Sequence, residues 1–397
     1  MRVKAEEHCR LVYVGDDGDV YESGSGDQPR RLTWGWSDAQ TPDRLHYVWP
    51  SFSPDGSHVA CFGVRTGASP EAGLYAVHED GFRVHEIWRM TEAAPVCESW
   101  SSDSRHIALL LQSRDDLRLE MASMESPGKT TLLDQGAPLF WSWSPNDSII
   151  AVHTGGSRSI YDEARLAIFD VGGDRVEELD RLVPGEFRTP TWSPDGSRLA
   201  YVDASDPRRE MLAFYRIADG TTDFVAPVGG QTVVLWAPDG RTVAVAEADG
   251  DSPHLYAGLR LIDVATGRTQ AIADDELVSF FWAPCSTKLA LVSFDERSGM
   301  RWSILDTDGA RQMLPTSFYP SRELVYFCWF FDQFASSHPL ISPDGKQLVF
   351  AGHIVGNGPS EESANSVYVA SLTGDSSVER VAAGHFACWD AQMRPAA

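Results

Sequence analysis

The chain is expected to be all β, a single closed β-propeller of eight four-stranded blades spanning residues 1–397. Three observations predict it. One turn motif recurs in phase from end to end, an alternating apolar strand follows each copy, and the two ends each carry part of one blade.

The motif is an aromatic residue followed by Ser-Pro-Asp-Gly or a relative. It reads Phe52-Ser-Pro-Asp-Gly56, Trp100-Ser-Ser-Asp-Ser104, Trp143-Ser-Pro-Asn-Asp147 and Trp192-Ser-Pro-Asp-Gly196, and then Trp236-Ala-Pro-Asp-Gly240, Trp282-Ala-Pro-Cys-Ser286 and Ile341-Ser-Pro-Asp-Gly345. With Trp389 as the last anchor, successive anchors lie 48, 43, 49, 44, 46, 59 and 48 residues apart, the period of a propeller blade. Proline presets φ at the first turn position, Asp caps the turn through its side chain, and Gly accepts a positive φ. Strands follow at once, as in Val59-Ala-Cys-Phe62, Ile107-Ala-Leu-Leu110 and Leu199-Ala-Tyr-Val202, and a second hairpin ends in turns such as Glu-Asp-Gly81, Ala-Thr-Gly267 and Leu-Thr-Gly374. No amphipathic helix of three turns is expected.

The ends set the blade count. Arg10–Val14, Asp19–Tyr21 and Arg31–Thr33 match the second to fourth strands of a blade without a first strand, and Gly384–Trp389 is a first strand with nothing after it. Joined, residues 384–391 and 8–34 make the eighth blade, and blades one to seven occupy about 45–383. The join leaves no free sheet edge. Seven blades are the alternative, should the Trp282 unit be distorted. The repeat register places Trp389 opposite Leu11 and Cys388 opposite Val12, which puts Cys9 on the other face of the sheet and argues against a Cys9–Cys388 bridge.

Charge narrows the partners. Thirty-three Lys and Arg against 57 Asp and Glu leave a net charge of −24, with Arg30-Arg31 and Arg208-Arg209 as the densest basic runs. Such a surface repels nucleic-acid backbones and anionic lipid, so neither is an expected partner. No apolar window approaches the roughly 18 residues of a membrane span, and Met1–Arg10 has no signal-peptide core. Six cysteines without CxxC spacing fit a reduced, cytoplasmic setting.

The repeated Trp/Phe-Ser-Pro-Asp-Gly units resemble TolB-type propeller repeats over essentially the whole chain. The stretch Phe330-Phe-Asp-Gln-Phe334 through His338, with Ser342-Pro-Asp-Gly345, is similar to that of cytoplasmic stand-alone TolB-like proteins. The resemblance implies a propeller whose inner strands surround a channel, without the leader and extra N-terminal domain of TolB itself. Similar propellers precede the catalytic domain of prolyl-oligopeptidase-like peptidases, but no GxSxG elbow is present for such chemistry.

Candidate site residues follow from the inner strands, whose entry loops face a channel mouth. Two to six residues ahead of the anchors stand His46, Tyr47 and Trp49; Glu98; Phe140 and Trp141; Phe187 and Arg188; and Gln231, Glu276, His338 and His385. Glu98, Arg188 and His338 are the candidates for acid–base or anion-clamp work. The 59-residue interval breaks the period with eight aromatics from Phe318 to Phe334. That segment reads as a lid or plug at the channel mouth, as a partner patch, or as ordinary core packed between blades six and seven, with Trp329, Asp332 and Gln333 as its contact points. The recurrent Asp55, Asp103, Asp195, Asp239 and Asp344 are turn residues, and the anchor tryptophans are core. Asp16-Asp-Gly-Asp19 and Glu247-Ala-Asp-Gly-Asp251 lack the spacing of a calcium loop, no HxH or HExxH is present, and no cofactor fingerprint is visible.

Two functions remain. The first is a binding module that holds a small molecule or protein segment at the channel mouth. The second is a small-molecule enzyme, a lyase or cyclase, using the same mouth. Oligomeric state and ligand identity are open at this level.

Overall fold

The aromatic-Ser-Pro-Asp-Gly turns form as their chemistry demands. Ser53 Oγ donates to Asp55 Oδ1 at 2.6 Å, and the same bond recurs at Ser101–Asp103, Ser193–Asp195 and Ser342–Asp344. Hydrogen bonds from Ser193 and Ser197 hold the Asp195 carboxyl below its usual range. Gly56, Gly196, Gly240 and Gly345 sit at φ near 70°, and where the motif has serine instead, Ser104 and Ser286 accept the same left-handed geometry at 62° and 60°. These aspartates are turn residues, as expected.

The structure, a computed structural model, describes residues 7–395 except 25–27, 36–43, 67–70, 82, 91–92, 115, 147–148, 156–163, 173–174, 207, 250–251, 296–298, 356–363 and 374–375. Asp147, Gly250, Asp251 and Gly374 of the motifs above lie outside the described residues. Among those described, five antiparallel sheets have four strands each and form the first five blades; their inner strands are Arg44–Phe52, Ala94–Trp100, Leu139–Trp143, Thr191–Trp192 and Thr232–Trp236. The sixth blade is regular as well, running Ser279–Trp282, Lys288–Phe294, Met300–Asp306 and Arg311–Pro320. The distortion that would have lowered the count to seven is therefore absent from the Trp282 unit.

The irregular blade is the seventh. After Pro320 the chain leaves the sheet as helix α1 (Arg322–Trp329) and helix α2 (Phe331–Phe334), and the inner strand survives only as an Ile341–Leu348 bridge. Strand Gln347–Ile354 pairs instead with the end of the sixth blade, through Phe318–Ile354, Tyr319–His353 and Pro320–Gly352. Strand Val378–Trp389 then serves two blades: its first half pairs with Ser366–Ser371, its second with Arg10–Gly15. Gly384 stands at the crossing, where a Cβ would come within 2.4 Å of the Val14 carbonyl. Leu11 faces Trp389 and Val12 faces Cys388, the register read from the repeat, and all six cysteines are free thiols. The strands group into an all-β propeller of eight blades, with a strand from each end of the chain in the eighth.

The anchors tie blade to blade. The indole Nε1 of Trp143 donates to Ser99 O, that of Trp192 to Ser142 O, that of Trp236 to Thr191 O and that of Trp282 to Leu235 O, each at 3.1–3.3 Å. Each bond crosses from one inner strand to the one before it, so burial and hydrogen bonding act together at these four seams. Trp389 Nε1 has no acceptor. The blade before it is the seventh, whose inner strand was given up to the helices. No helix among the described residues is long and apolar enough to cross a membrane.

Candidate functional site

The two helices pack among the inner strands of several blades. Ser321 caps α1 by accepting from Leu324 N at 3.1 Å, and Leu324, Phe327 and Cys328 form its buried face. Phe334 of α2 stacks on Trp49 of the first blade, with centroids 4.9 Å apart and rings 10° from parallel. Phe331 meets Phe280 and Phe281 of the sixth blade, and Phe327 meets Phe386 of the eighth. Gln333 clasps the third blade: its Oε1 accepts from Trp141 N and its Nε2 donates to Trp141 O, both at 3.0 Å. The period-breaking segment is thus a plug that reaches several inner strands, neither a patch on the surface nor packing confined to blades six and seven.

The candidates for chemistry are built into this plug. Arg188, 1% exposed, pairs with Asp332 at 2.6 Å, and it also donates to Trp329 O and to the Tyr256 hydroxyl. Asp332 accepts a further bond from Thr189 N at 3.2 Å. A guanidinium neutralised this way is not a free anion clamp. Glu98 accepts from Ser51 Oγ at 2.6 Å, and its other oxygen has no partner. Burial pushes its pKa up to about 8, so it is a neutral acid at neutral pH. His338 lies edge-on to Trp49, Phe334 and Phe386, and burial pushes it down to about 3, so it is a neutral imidazole. Its Nδ1 is 2.8 Å from Ser337 Oγ. The cavities at the two ends of the plug are lined by other residues.

His46, Tyr47 and His385 do come together, at the entry-side mouth. A cavity of about 260 Å³ lies there, where the eighth blade meets the first. The hairpin turn of the eighth blade supplies Asp16 and Asp17, the first inner strand His46 and Trp49, α1 Glu323, and the shared strand His385. Gly18, at φ 79°, lets this turn close against His46: a Cβ would lie 3.2 Å from the His46 Cβ, and Tyr47 N donates to Gly18 O at 2.8 Å. Tyr47 forms part of the wall and is itself buried, which raises its hydroxyl pKa. Trp49 holds a left-handed φ of 54° at the bulge between Val48 and Ser51, unusual for a bulky residue, and this turns its ring toward the plug. His385 Nδ1 is 3.2 Å from Asn365 Nδ2, and its Nε2 is 3.7 Å from Asp16.

The remaining candidates stand elsewhere. Trp141 donates its Nε1 to Ser99 Oγ at 2.8 Å and is fully buried. Glu276 is exposed on the outer strand of the fifth blade, opposite Ala257. Gln231 lies just before the fifth inner strand, with its side-chain oxygen buried and unpartnered. Trp329 is 40% exposed and stacks on His254, a partner not singled out from the sequence. Asp16, Asp17 and Glu323 were also missed as a group, because only the ring brings residues so far apart in sequence to one mouth. At the opposite mouth two adjoining cavities of about 310 and 400 Å³ are rimmed by the anchor tryptophans and floored by Gln333 and Asp332.

No protein-family model matches the chain, and no curated protein matches it. Among solved structures, a crystal structure of the eukaryotic initiation factor matches at TM-score 0.53 and 10% identity, over 97% of this chain and 99% of that one. TolB from Acinetobacter baumannii matches at TM-score 0.41 and 13% identity, over 77% of this chain and 63% of that one. The chain therefore spans less than two-thirds of that TolB. An oligogalacturonate lyase in complex with manganese matches at TM-score 0.47 and 16% identity, over 74% of this chain and 86% of that one. At this identity the match to the initiation factor is a likeness of fold alone, and the four-stranded sheets described above make the chain a β-propeller.

Proposed function

We propose that this protein is a binding propeller, holding its ligand at the entry-side mouth beside His46, Tyr47 and His385 without transforming it. One observation carries the reading: the helical plug occupies the channel and uses up the polar groups that chemistry would need. Arg188 is spent on Asp332, Glu98 is a buried neutral acid on Ser51, and His338 is enclosed by aromatic rings. At the entry-side mouth a small cavity stays open, largely apolar with aromatic walls and a few polar groups, the usual character of a ligand seat.

Native mass spectrometry of the purified protein tests this. The expected result is a bound compound that is lost on denaturation and is depleted in His46→Ala. A fully unliganded spectrum for both proteins, with no compound from a metabolite extract shifting the melting temperature of the parent alone, would remove the reading. Catalysis has one observation in its favour, the His385–Asp16 pair, which could act as a base. Consumption of a compound in a metabolite extract by the parent, but not by His385→Gln, would favour that alternative.

A further inference from the structure

At the mouth opposite the entry side, the plug leaves open space of one chemical character. The two cavities there, of about 310 and 400 Å³, adjoin through Ser142, Trp143, Pro145, Ser336 and Pro339, which line both. Pro145, Pro194, Pro238 and Pro284, the motif prolines of blades three to six, are exposed along the wider one. The lining is largely apolar and holds one charged residue, Asp332, whose carboxylate is already paired with Arg188. Four polar atoms of lining residues have no hydrogen-bond partner among the described residues: Trp389 Nε1, Ser144 Oγ, Thr189 Oγ1 and Thr191 Oγ1. Trp389, Ser144 and Thr189 are 5%, 0% and 4% exposed. Two of these vacancies are lapses of the repeat. Trp389 lacks the carbonyl that a preceding inner strand gives the other anchor tryptophans, and Ser144 lacks the motif aspartate because position 146 is Asn. A buried polar group without a partner costs free energy, so each is a position where a bound molecule gains by supplying one.

We propose that this mouth binds a neutral aromatic compound bearing carbonyl or hydroxyl groups, at a second site independent of the entry-side reading. The volumes suit a drug-sized molecule. Proline and aromatic rings are complementary surfaces, the pairing by which proline-rich segments dock in aromatic grooves. Here the prolines belong to the protein, which leaves the aromatic ring to the ligand. Trp389 Nε1 can only donate, so it requires a carbonyl or hydroxyl oxygen. The serine and threonine hydroxyls both donate and accept, which suits a hydroxylated ring. A charged compound fits less well. No lysine, arginine, histidine or glutamate lines either cavity, so an ion would be desolvated there without a partner. The net charge of −24 opposes an anion further. A sugar would meet the hydroxyls but leave the proline rim uncovered.

Naringenin and flavone serve as the probes, with naphthoate as an aromatic anion and glucose as a hydroxylated compound without an aromatic ring, all against the full-length protein by calorimetry and thermal melting. Ser144→Ala and Thr189→Val each remove an unpartnered hydroxyl and break no internal bond. The unliganded melting temperature should therefore hold, while naringenin binding weakens by roughly threefold to tenfold. Ser336 is exposed and lines both cavities, so Ser336→Trp should fill the space and abolish binding of both probes. The two hydroxyl variants keep the test valid should Ser336→Trp fold poorly. The assignment falls if neither probe binds, if binding is indifferent to all three substitutions, or if naphthoate or glucose binds as tightly as the probes. It also falls, with the entry-side reading intact, if His46→Ala at the other mouth abolishes probe binding. Loss in Ser336→Trp of a co-purifying protein, without binding of either probe, would make this mouth a protein seat and overturn the assignment. If both probes bind here and native mass spectra show no compound that His46→Ala loses, the entry-side reading falls and this one stands.

Discussion

Glu98 is the residue on which pH should act most visibly. Its ordinary value of 4.5 is pushed up to about 8 by burial, so between those values the folded chain holds a proton that the unfolded chain has released. Stability from this group is complete below 4.5 and is lost as pH rises through about 8. His338 acts in the opposite sense. Burial lowers it from 6.5 to about 3, so its contribution is complete above 6.5 and is lost as pH falls toward 3. The two slopes oppose each other between 4.5 and 6.5, which predicts a plateau there and a decline on either side. Urea titrations across pH check this. Glu98→Gln should remove the alkaline decline, a gain of a few kcal/mol at about pH 8; an unchanged decline would place its cause outside Glu98. The cysteines give a second residue-scale expectation. Cys285 is exposed and the other five are buried, so a thiol reagent should titrate one group rapidly in the native protein and all six in denaturant without reduction. A count below six would mean a disulfide.

At the scale of the element, the plug depends on one buried ion pair. Arg188 and Asp332 have side chains only 1% exposed, and removing one partner strands the other's charge away from water. Asp332→Asn should cost about 3–5 kcal/mol, whereas Arg188→Met with Asp332→Leu should recover most of that loss, because two apolar groups leave no charge uncompensated. Equal losses in the single and double variants, measured by denaturant melting, would show that the pair contributes by shape alone. The existence of this element was legible: a 59-residue interval crowded with aromatics had no place in a regular blade, and Asp332 and Gln333 stood out as its polar positions. Its helicity was less so. Leu324, Phe327 and Cys328 have helical spacing behind a Ser321 cap, but eight residues are too few to distinguish that pattern from a strand in an aromatic run. The partners of the plug could not be read at all, since Gln333 and Trp141 are 192 residues apart and meet only because the inner strands converge.

For the whole molecule the sequence was most informative where the physics is local. Turn chemistry and period-two strands repeat within each blade, so the eight units, and the register of Leu11 against Trp389, could be inferred from spacing. The entry-side cavity could not, because it combines a turn at residue 16, a strand at residue 46, a helix at residue 323 and a strand at residue 385. The strand that links the ends is where the arrangement is most open to test. Val378–Trp389 pairs with Ser366–Ser371 in the seventh blade and with Arg10–Gly15 in the eighth. It also carries Phe386, which packs on Trp49 and Phe327, and it leads to Asp390, which pairs with Arg10 at 2.7 Å. Deleting residues 384–397 should expose the edge of Arg10–Gly15 and open the aromatic cluster beside the plug. The shortened chain is expected to aggregate, or to melt over a broad range without a cooperative step. Asp390→Asn separates the strand from its ion pair: it keeps the pairing, and should melt cooperatively with a loss of about 1–3 kcal/mol. If the shortened chain melts as sharply and at the same temperature as the parent, the eighth blade does not depend on its C-terminal strand, and the joining of the two ends is not what holds the propeller together.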